Sequence, residues 1–289
     1  ATLNTFSFST ETTEEAINRE LDNINNWFKL NKLSLNPDKT KAMLFHSPQR
    51  KVDPINININ GVPIEFVERF NYLGIVLDRH MSWKFHINTI SQKISKTIGI
   101  MCKLKKFLPL HILLTLYNSL ILPYLNYGIL VWGTHAHKMM KLQKKSVRVI
   151  TNSKYNSHTE PIFKNLQLLK VTDLCSLQEL KFAFRLENGM LPYYFRVSMF
   201  TRHSEIHNYP TRNTQNFATP LNRHSFTNRS IRYRLPAIYN NCPEYIKSKI
   251  FTHSIEGFTK YVKADIIYNY NMHCSIRNCY ICQSTDNLL

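Results

Sequence analysis

His273, Cys274, Cys279 and Cys282 form H-C-x4-C-x2-C, which has the ligand types of a tetrahedral zinc site. Adjacent ligands at 273 and 274 converge poorly on one ion and no second spaced pair follows, so zinc is not expected here. The residues read as unpaired tail thiols. His203 and His207 stand four apart without the H-E-x-x-H arrangement and read as surface histidines. No Ser/His/Asp or Cys/His nucleophilic set stands out by spacing. The chain has seven glycines and neither G-x-x-x-x-G-K-S/T nor G-x-G-x-x-G, which disfavours a P-loop NTPase and a dinucleotide-binding enzyme. Six scattered cysteines do not make a secreted disulfide scaffold and point to a reducing compartment.

The stronger chemical signal is charge. The net charge is +18, and it is unevenly placed. Residues 1–80 nearly balance, with nine Lys/Arg against ten Asp/Glu. Residues 81–159 carry twelve Lys/Arg and no acid, and 160–289 carry sixteen bases against nine acids. A 79-residue stretch without an acid cannot neutralise itself through internal ion pairs. It presents a one-signed field, for which a phosphate backbone is the natural partner.

The hydrophobic pattern supplies the elements that position these charges. With 289 residues, 43% of them hydrophobic, the chain can bury one large core or two small ones. Thr12-x-x-Glu15 is a capping box, and Ile17, Leu21, Ile24 and Phe28 follow at helical spacing. Lys41–His46 reads as a strand. Ile55, Ile57 and Ile59 alternate with asparagines, Asn60-Gly61 signals a hairpin, and Ile64–Val67 returns. Phe70–Leu77 reads as one further strand. From residue 81 the period changes: Ile87, Ile90, Ile94, Ile98, Met101 and Leu104 make one apolar stripe, with Lys93, Lys96, Lys103 and Lys106 on the other side and Lys105 misplaced near the stripe. Further helices are predicted over 111–121 and about 137–151, the latter exposing Lys138, Lys141, Lys144, Lys145 and Arg148. Leu166–Phe184 suggests another helical layer, 200–235 reads as loop, and 251–270 as one last helix. The apolar window 107–133 is broken by Pro109, His111, Asn118, Pro123 and Asn126, which favours a buried helix pair over a membrane span. Residues 1–9 show no signal-peptide pattern. The fold class is α+β: a helix with a small antiparallel sheet, then mainly helices.

In this order, several pieces together resemble the C-terminal half of reverse transcriptases from LINE-type, non-long-terminal-repeat, jockey-like retrotransposons. Trp27-Phe28, Asn31-Lys32-Leu33-Ser34-Leu35-Asn36 and Lys39-Thr40-Lys41 look like palm motif D, and Phe70-x-Tyr72-Leu73-Gly74 looks like motif E, the primer grip. Leu122–Gly128 with Trp132-Gly133, then Leu142-Gln143-Lys144-Lys145 with Arg148, resembles the segment after the thumb. His207-Asn208-Tyr209-x-Thr211-Arg212 resembles part of the family's C-terminal region.

The resemblance implies the end of a polymerase palm over 1–80, a basic helical thumb over 81–151, and a C-terminal domain over 152–289. It implies a supporting role for Lys39 near the incoming nucleotide's phosphates, with Lys41 the competing candidate, and primer contact through Tyr72, Leu73 and Gly74. Lys93, Lys96, Lys103, Lys106, Lys144, Lys145 and Arg148 would bind nucleic acid, with an RNA template and a DNA primer as partners. The family's aromatic-Ala-Asp-Asp turn is missing, and Ala1-Thr2-Leu3 is what typically follows it. Asp22, Asp38, Asp53 and Asp78 stand in no Asp-Asp or Asp-x-Asp pair that could hold the two Mg2+ ions of the full-length parent. The chain is therefore expected to be catalytically silent and to bind no cofactor by itself. The parent would add upstream palm, fingers and endonuclease domains, without a membrane, in an intracellular nuclear or cytoplasmic ribonucleoprotein. The alternative is a non-enzymatic, basic helical nucleic-acid-binding protein derived from such an element.

Overall fold

The alternating Ile-Asn run at 55–60 divides its labour by face. In the computed structural model, which describes residues 2–3, 10–49, 51–52, 55–195, 199–206, 214–221 and 229–271, Ile55, Ile57, Ile59 and Ile64 form a buried cluster. Ile17 and Leu21 of helix α1 (Thr10–Leu30) pack on it with Leu35, Ala42 and Leu44. The polar face is held by the same helix. Glu14 accepts from the Asn56 amide (2.9 Å), Asn18 donates to the Asn56 carbonyl (3.0 Å) and accepts from the Asn58 amide (3.1 Å), and Asn25 donates to Asn60 (2.7 Å). A period of about 3.6 on the helix is thereby matched to a period of 2 on the extended chain. The helix starts at Thr10, two residues before the capping box.

Three two-stranded pairs follow, and one corrects the expected antiparallel sheet: β1 (Lys41–Ala42) pairs in parallel with β4 (Glu65–Phe66), around the hairpin β2 (Asn58–Ile59) and β3 (Val62–Pro63). Parallel pairing needs a long connection, and here the hairpin provides it. Asn60 and Gly61 turn that hairpin at φ 51° and 76°, as their types predict. Phe70–Leu77 is not a single strand. It folds back as β5 (Arg69–Tyr72) and β6 (Ile75–Asp78), with Tyr72 facing Ile75 and the turn made by Leu73 (φ 49°) and Gly74 (φ 80°). Buried Asp78 then accepts from the His80, Ser82 and Trp83 amides at 3.0–3.2 Å and from the Ser82 hydroxyl at 3.1 Å. Its carboxylate shapes the turn, with Met81 and Trp83 at positive φ, that leads into α2 (Lys84–Leu104).

The chain divides into two compact units, Ala1–Asn88 and Thr89–Leu289; the 151/152 position lies inside the second. That second unit is helical among its described residues. After α2 come α3 (Leu110–Leu120), α4 (Leu122–Asn126), α5 (Ile129–Trp132), a 3-10 segment (Gly133–Met139), α6 (Met140–Ile150) and α7 (Glu160–Asn165). Pro123 stands in the first turn of α4, where its missing N–H costs nothing. Next is α8 (Val171–Glu187), then α9 (His203–Ile206) inside the stretch read as loop, α10 (Ile231–Asn240), α11 (Glu244–Thr252) and α12 (Ile255–Tyr268). The single helix expected over 251–270 is thus two, because Ser254 caps α12 by accepting from the Gly257 amide (3.2 Å). No single described helix is long and apolar enough to cross a membrane; Leu110–Asn126 and Ile129–Ile150 pass only as a pair, bent by 54°.

Helix α8 is the centre of this unit, packing against α4, α5, α6, α10, α12 and the 3-10 segment. Two buried polar nodes fix its neighbours. Gln143, fully buried on α6, donates to the Tyr117 hydroxyl (2.8 Å) and the Leu169 carbonyl (2.9 Å) and accepts from the Val171 amide (2.8 Å). Burial pushes the Tyr117 hydroxyl up to about 12, despite the Gln143 bond. Gln143→Leu keeps the volume but strands these groups; at about 1–3 kcal/mol per unsatisfied buried group, and with a hydroxyl free to rotate, we expect a net loss of about 2–3 kcal/mol. Urea unfolding followed by circular dichroism measures it, and an unchanged midpoint would contradict the node's importance.

The second node joins Glu179 of α8 to Arg234 of α10 at 2.5 Å. Arg234 also donates to the Leu130 carbonyl (2.7 Å) and lies 3.5 Å from Cys175 Sγ. Burial raises the Glu179 carboxyl, against the lowering effect of Arg234, and pushes the Cys175 thiol up to about 11. Gly133 packs closely beside it, and an added Cβ there would force Cys175 Sγ to move.

Candidate nucleic-acid interface

The apolar stripe of α2 faces inward: Ile87, Ile90, Ile94, Ile98 and Met101 are buried. At 100° per residue, Lys93, Lys96 and Lys103 fall on the opposite face, and all three are exposed, as is Lys106 just beyond the helix. Lys93 lies over the Tyr124 ring of α4, 5.3 Å from its centroid. Lys105, the lysine that did not fit, turns away from this face to donate to Asn152 Oδ1 (2.8 Å). No ion pair among the described residues involves any base between 81 and 159. Charge on this surface is therefore not neutralised by ion pairing among the described residues, although the Glu160 carboxyl, its pKa lowered chiefly by Lys170, is lowered further by Lys144. The field is felt locally at His135, whose pKa is lowered by burial first and then by Lys138, Arg229 and His137.

On α6 the predicted basic face separates into two kinds. Lys138, just ahead of the helix, and Lys141, Lys144 and Lys145 are exposed, whereas Gln143, Ser146, Val147, Val149 and Ile150 are buried. Arg148 is half-buried and donates through Nε to the Ser157 carbonyl (2.9 Å), so part of its guanidinium already pins the loop after α6. Burial lowers its pKa.

In the first unit the two motif lysines differ. Lys41 pairs with Glu65 across β1 and β4 at 2.6 Å. Lys39 ends a 3-10 turn (Pro37–Lys39) whose amides are gathered by Asn36, and its exposed ammonium has no ion pair among the described residues. Tyr72, Leu73 and Gly74 form the tip of the β5–β6 hairpin. Leu73 is 72% exposed there in a left-handed conformation that a leucine rarely adopts. Arg69, at the hairpin's other end, stacks on the Phe85 ring at 3.7 Å.

No three His, Cys, Asp or Glu among the described residues converge in a way that could hold a metal. Asp78 is already taken up by the turn it shapes, and Asp22 and Asp38 lie on separate exposed segments. Asp53, His207, the 207–212 segment and the H-C-x4-C-x2-C run lie outside the described residues.

Comparison with known proteins places the chain among RNA-directed DNA polymerases by similarity. The chain is 27% identical over 182 residues to the RNA-directed DNA polymerase from mobile element jockey of Drosophila funebris, and 28% identical over 160 residues to that of Drosophila melanogaster. It is 25% identical over 169 residues to a probable RNA-directed DNA polymerase from transposon X-element of Drosophila melanogaster. These matches cover 60%, 53% and 56% of the chain. The chain is thus similar to RNA-directed DNA polymerases of jockey and X-element retrotransposons. It spans about a fifth of the length of the curated relatives it matches, 20%, 17% and 18% respectively. No family model matches the chain and no solved structure matches it.

Two apolar residues interrupt the basic surface of the helical unit. Ile100 is 58% exposed between Lys96 and Lys103, four and three residues away on the lysine face. It breaks the rule that apolar residues of an amphipathic helix turn inward, and its exposure agrees with the 100° projection that puts it on the lysine face. Phe107 projects into solvent from the turn after α2.

Proposed function

We propose that this chain supplies the post-catalytic part of a retrotransposon reverse transcriptase and grips template–primer nucleic acid through phosphates. Residues 1–80 then correspond to the end of the palm, 81–151 to the thumb and 152–289 to a C-terminal domain. The observation that carries this reading is the row of exposed lysines on α2 without ion pairs, backed by a stripe that is buried from Ile87 to Met101 and set in a stretch without one acid. Such a surface adds affinity and orientation without reading sequence. Lys144 and Lys145 extend the basic surface to α6. Arg148 contributes less, because its Nε is committed to Ser157.

In the palm part, the unpaired Lys39 is better placed than Lys41 to meet a nucleotide's phosphates, since Lys41 is held by Glu65. Tyr72, Leu73 and Gly74 would approach the primer backbone as a rigid hairpin tip. The RNA template and DNA primer are the proposed partners, together with the palm, fingers and endonuclease parts of a parent element in an intracellular nuclear or cytoplasmic ribonucleoprotein. Mg2+ chemistry would need carboxylates from outside this sequence, because its own aspartates form no pair.

Fluorescence anisotropy with RNA/DNA hybrids of unrelated sequence tests the binding. The expected result is similar affinity for each and a linear fall of log affinity with log salt. A salt-independent affinity would refute phosphate gripping. Primer extension with template, dNTPs and Mg2+ should stay at the level of a buffer blank. Extension that survives repurification would overturn the assignment of catalysis to residues outside the chain.

A further inference from the structure

Phe107 is 80% exposed, more than any other phenylalanine among the described residues. Its position is not one of loose chain. The Lys105 amide donates to the Met101 carbonyl (2.9 Å), and the Phe107 and Leu108 amides donate to the Leu104 carbonyl (2.9 and 3.0 Å). Lys105 Nζ ties the same turn to Asn152 beyond the end of α6. Pro109 then fixes the entry to α3. A large apolar ring is thus held out in solvent by a braced turn, with exposed Lys103 and Lys106 beside it in sequence. If the helical progression is continued past Leu104, position 107 falls among Lys93, Lys96, Ile100 and Lys103 on the lysine face.

A bare ring costs free energy in water, and a basic surface rejects cationic or neutral apolar partners less well than it attracts anionic ones. An anionic partner that also presents a flat apolar face satisfies both halves of this surface. We infer that Phe107 is a stacking platform for an unpaired nucleobase, seated where the lysine face of α2 ends, so that phosphates lie along the helix and the first unstacked base caps the ring. The inference rests on the phosphate-gripping reading and adds to it a preference for a junction between duplex and single strand. Stacking on an aromatic ring tolerates any base, so no sequence preference is added.

The experiment compares a blunt RNA/DNA hybrid with the same hybrid carrying a single-stranded template overhang, using the whole chain, Phe107→Ala and Phe107→Trp. The parent should favour the overhang substrate. Phe107→Ala should lose roughly 5- to 150-fold of affinity for it. It should bind the blunt hybrid as before, keep the parent's salt slope, and unfold at the parent's midpoint, since an exposed ring holds no core together. Phe107→Trp should restore the preference, and its added indole emission should be quenched by the overhang substrate and not by the blunt one. Equal binding of both substrates by parent and Phe107→Ala, with the salt slope intact, would overturn the stacking role while leaving phosphate gripping standing. No binding by the parent would overturn both. Phosphatidylserine vesicles form a third arm: parent binding there that Phe107→Ala loses, with no change on the overhang substrate, would reassign the ring to a lipid surface and refute the inference.

Discussion

Changing Lys93, Lys96, Lys103 and Lys106 together to Gln should flatten the plot of log affinity against log salt by about 3–4 units on duplex DNA, at about 0.9 per phosphate neutralised. Across a fourfold rise in salt, the parent should then lose roughly 60- to 250-fold more affinity than the variant. The size follows from the geometry: four exposed cations, none ion-paired among the described residues, three on the side of α2 away from the core and Lys106 in the turn that follows it. Stability should change little, because the stripe of Ile90, Ile94, Ile98 and Met101 is untouched and only the contact of Lys93 with Tyr124 is lost. Single replacements should each remove about one unit of slope. A quadruple variant with the parent's slope would show these lysines to be a solvated face only.

Arg234→Met carries the largest expected stability effect. It leaves the Glu179 carboxylate, 3% exposed, without its partner at 2.5 Å. Breaking one side of a buried pair costs about 3–5 kcal/mol. For a unit of this size that lowers Tm by roughly 6–20 °C, at about 2–4 °C per kcal/mol. The pH dependence has a definite sign. The Glu179 pKa is raised in the fold, chiefly by burial, so ionisation opposes folding and stability is regained as pH falls through the folded value. Arg234 is the main opposing influence, so the deficit of Arg234→Met should shrink from about pH 8 to about pH 5. The double variant Glu179→Leu/Arg234→Met should recover most of the loss, because an apolar replacement leaves no stranded charge. Differential scanning calorimetry of parent, single and double variants distinguishes these outcomes. A single variant as stable as the parent at pH 8 would refute the coupling.

Legibility in the sequence tracked how far apart the cooperating residues lie. The α2 stripe was readable because its period repeats within one element, and even the misfit of Lys105 was visible and has a cause, the bond to Asn152. Asn60-Gly61 was readable because both types accept positive φ. The turn inside Phe70–Leu77 was hidden because its first residue is Leu73, a type that gives no turn signal. The parallel pairing of β1 with β4 was hidden because two-residue strands have no period to read. Arg148 was grouped with the free basic residues because its composition matches theirs; its bond to Ser157 is set by the path of a loop. Arg234, Glu179 and Cys175 carry no spacing signal, since 55 and 59 residues separate the arginine from its partners. Family resemblance supplied what periodicity could not: an order for the Lys39, Tyr72–Gly74 and Lys144–Lys145 segments along one chain, and the comparisons support the likeness to jockey polymerases for the chain as a whole.

The acid-free stretch described above also acts on the protein when nothing is bound to it. Twelve like charges over 79 residues repel one another in the folded state, where α2 and α6 hold them closer than an extended chain would. A polyanion seated on that surface removes the repulsion and binds the folded form in preference to the unfolded one, so by mass action it is a stabilising ligand. Salt then works in two directions at once: it relieves the strain of the free protein and dissolves the complex. The basic helical unit and any polyanion that occupied it would be linked thermodynamically, each holding the other in place.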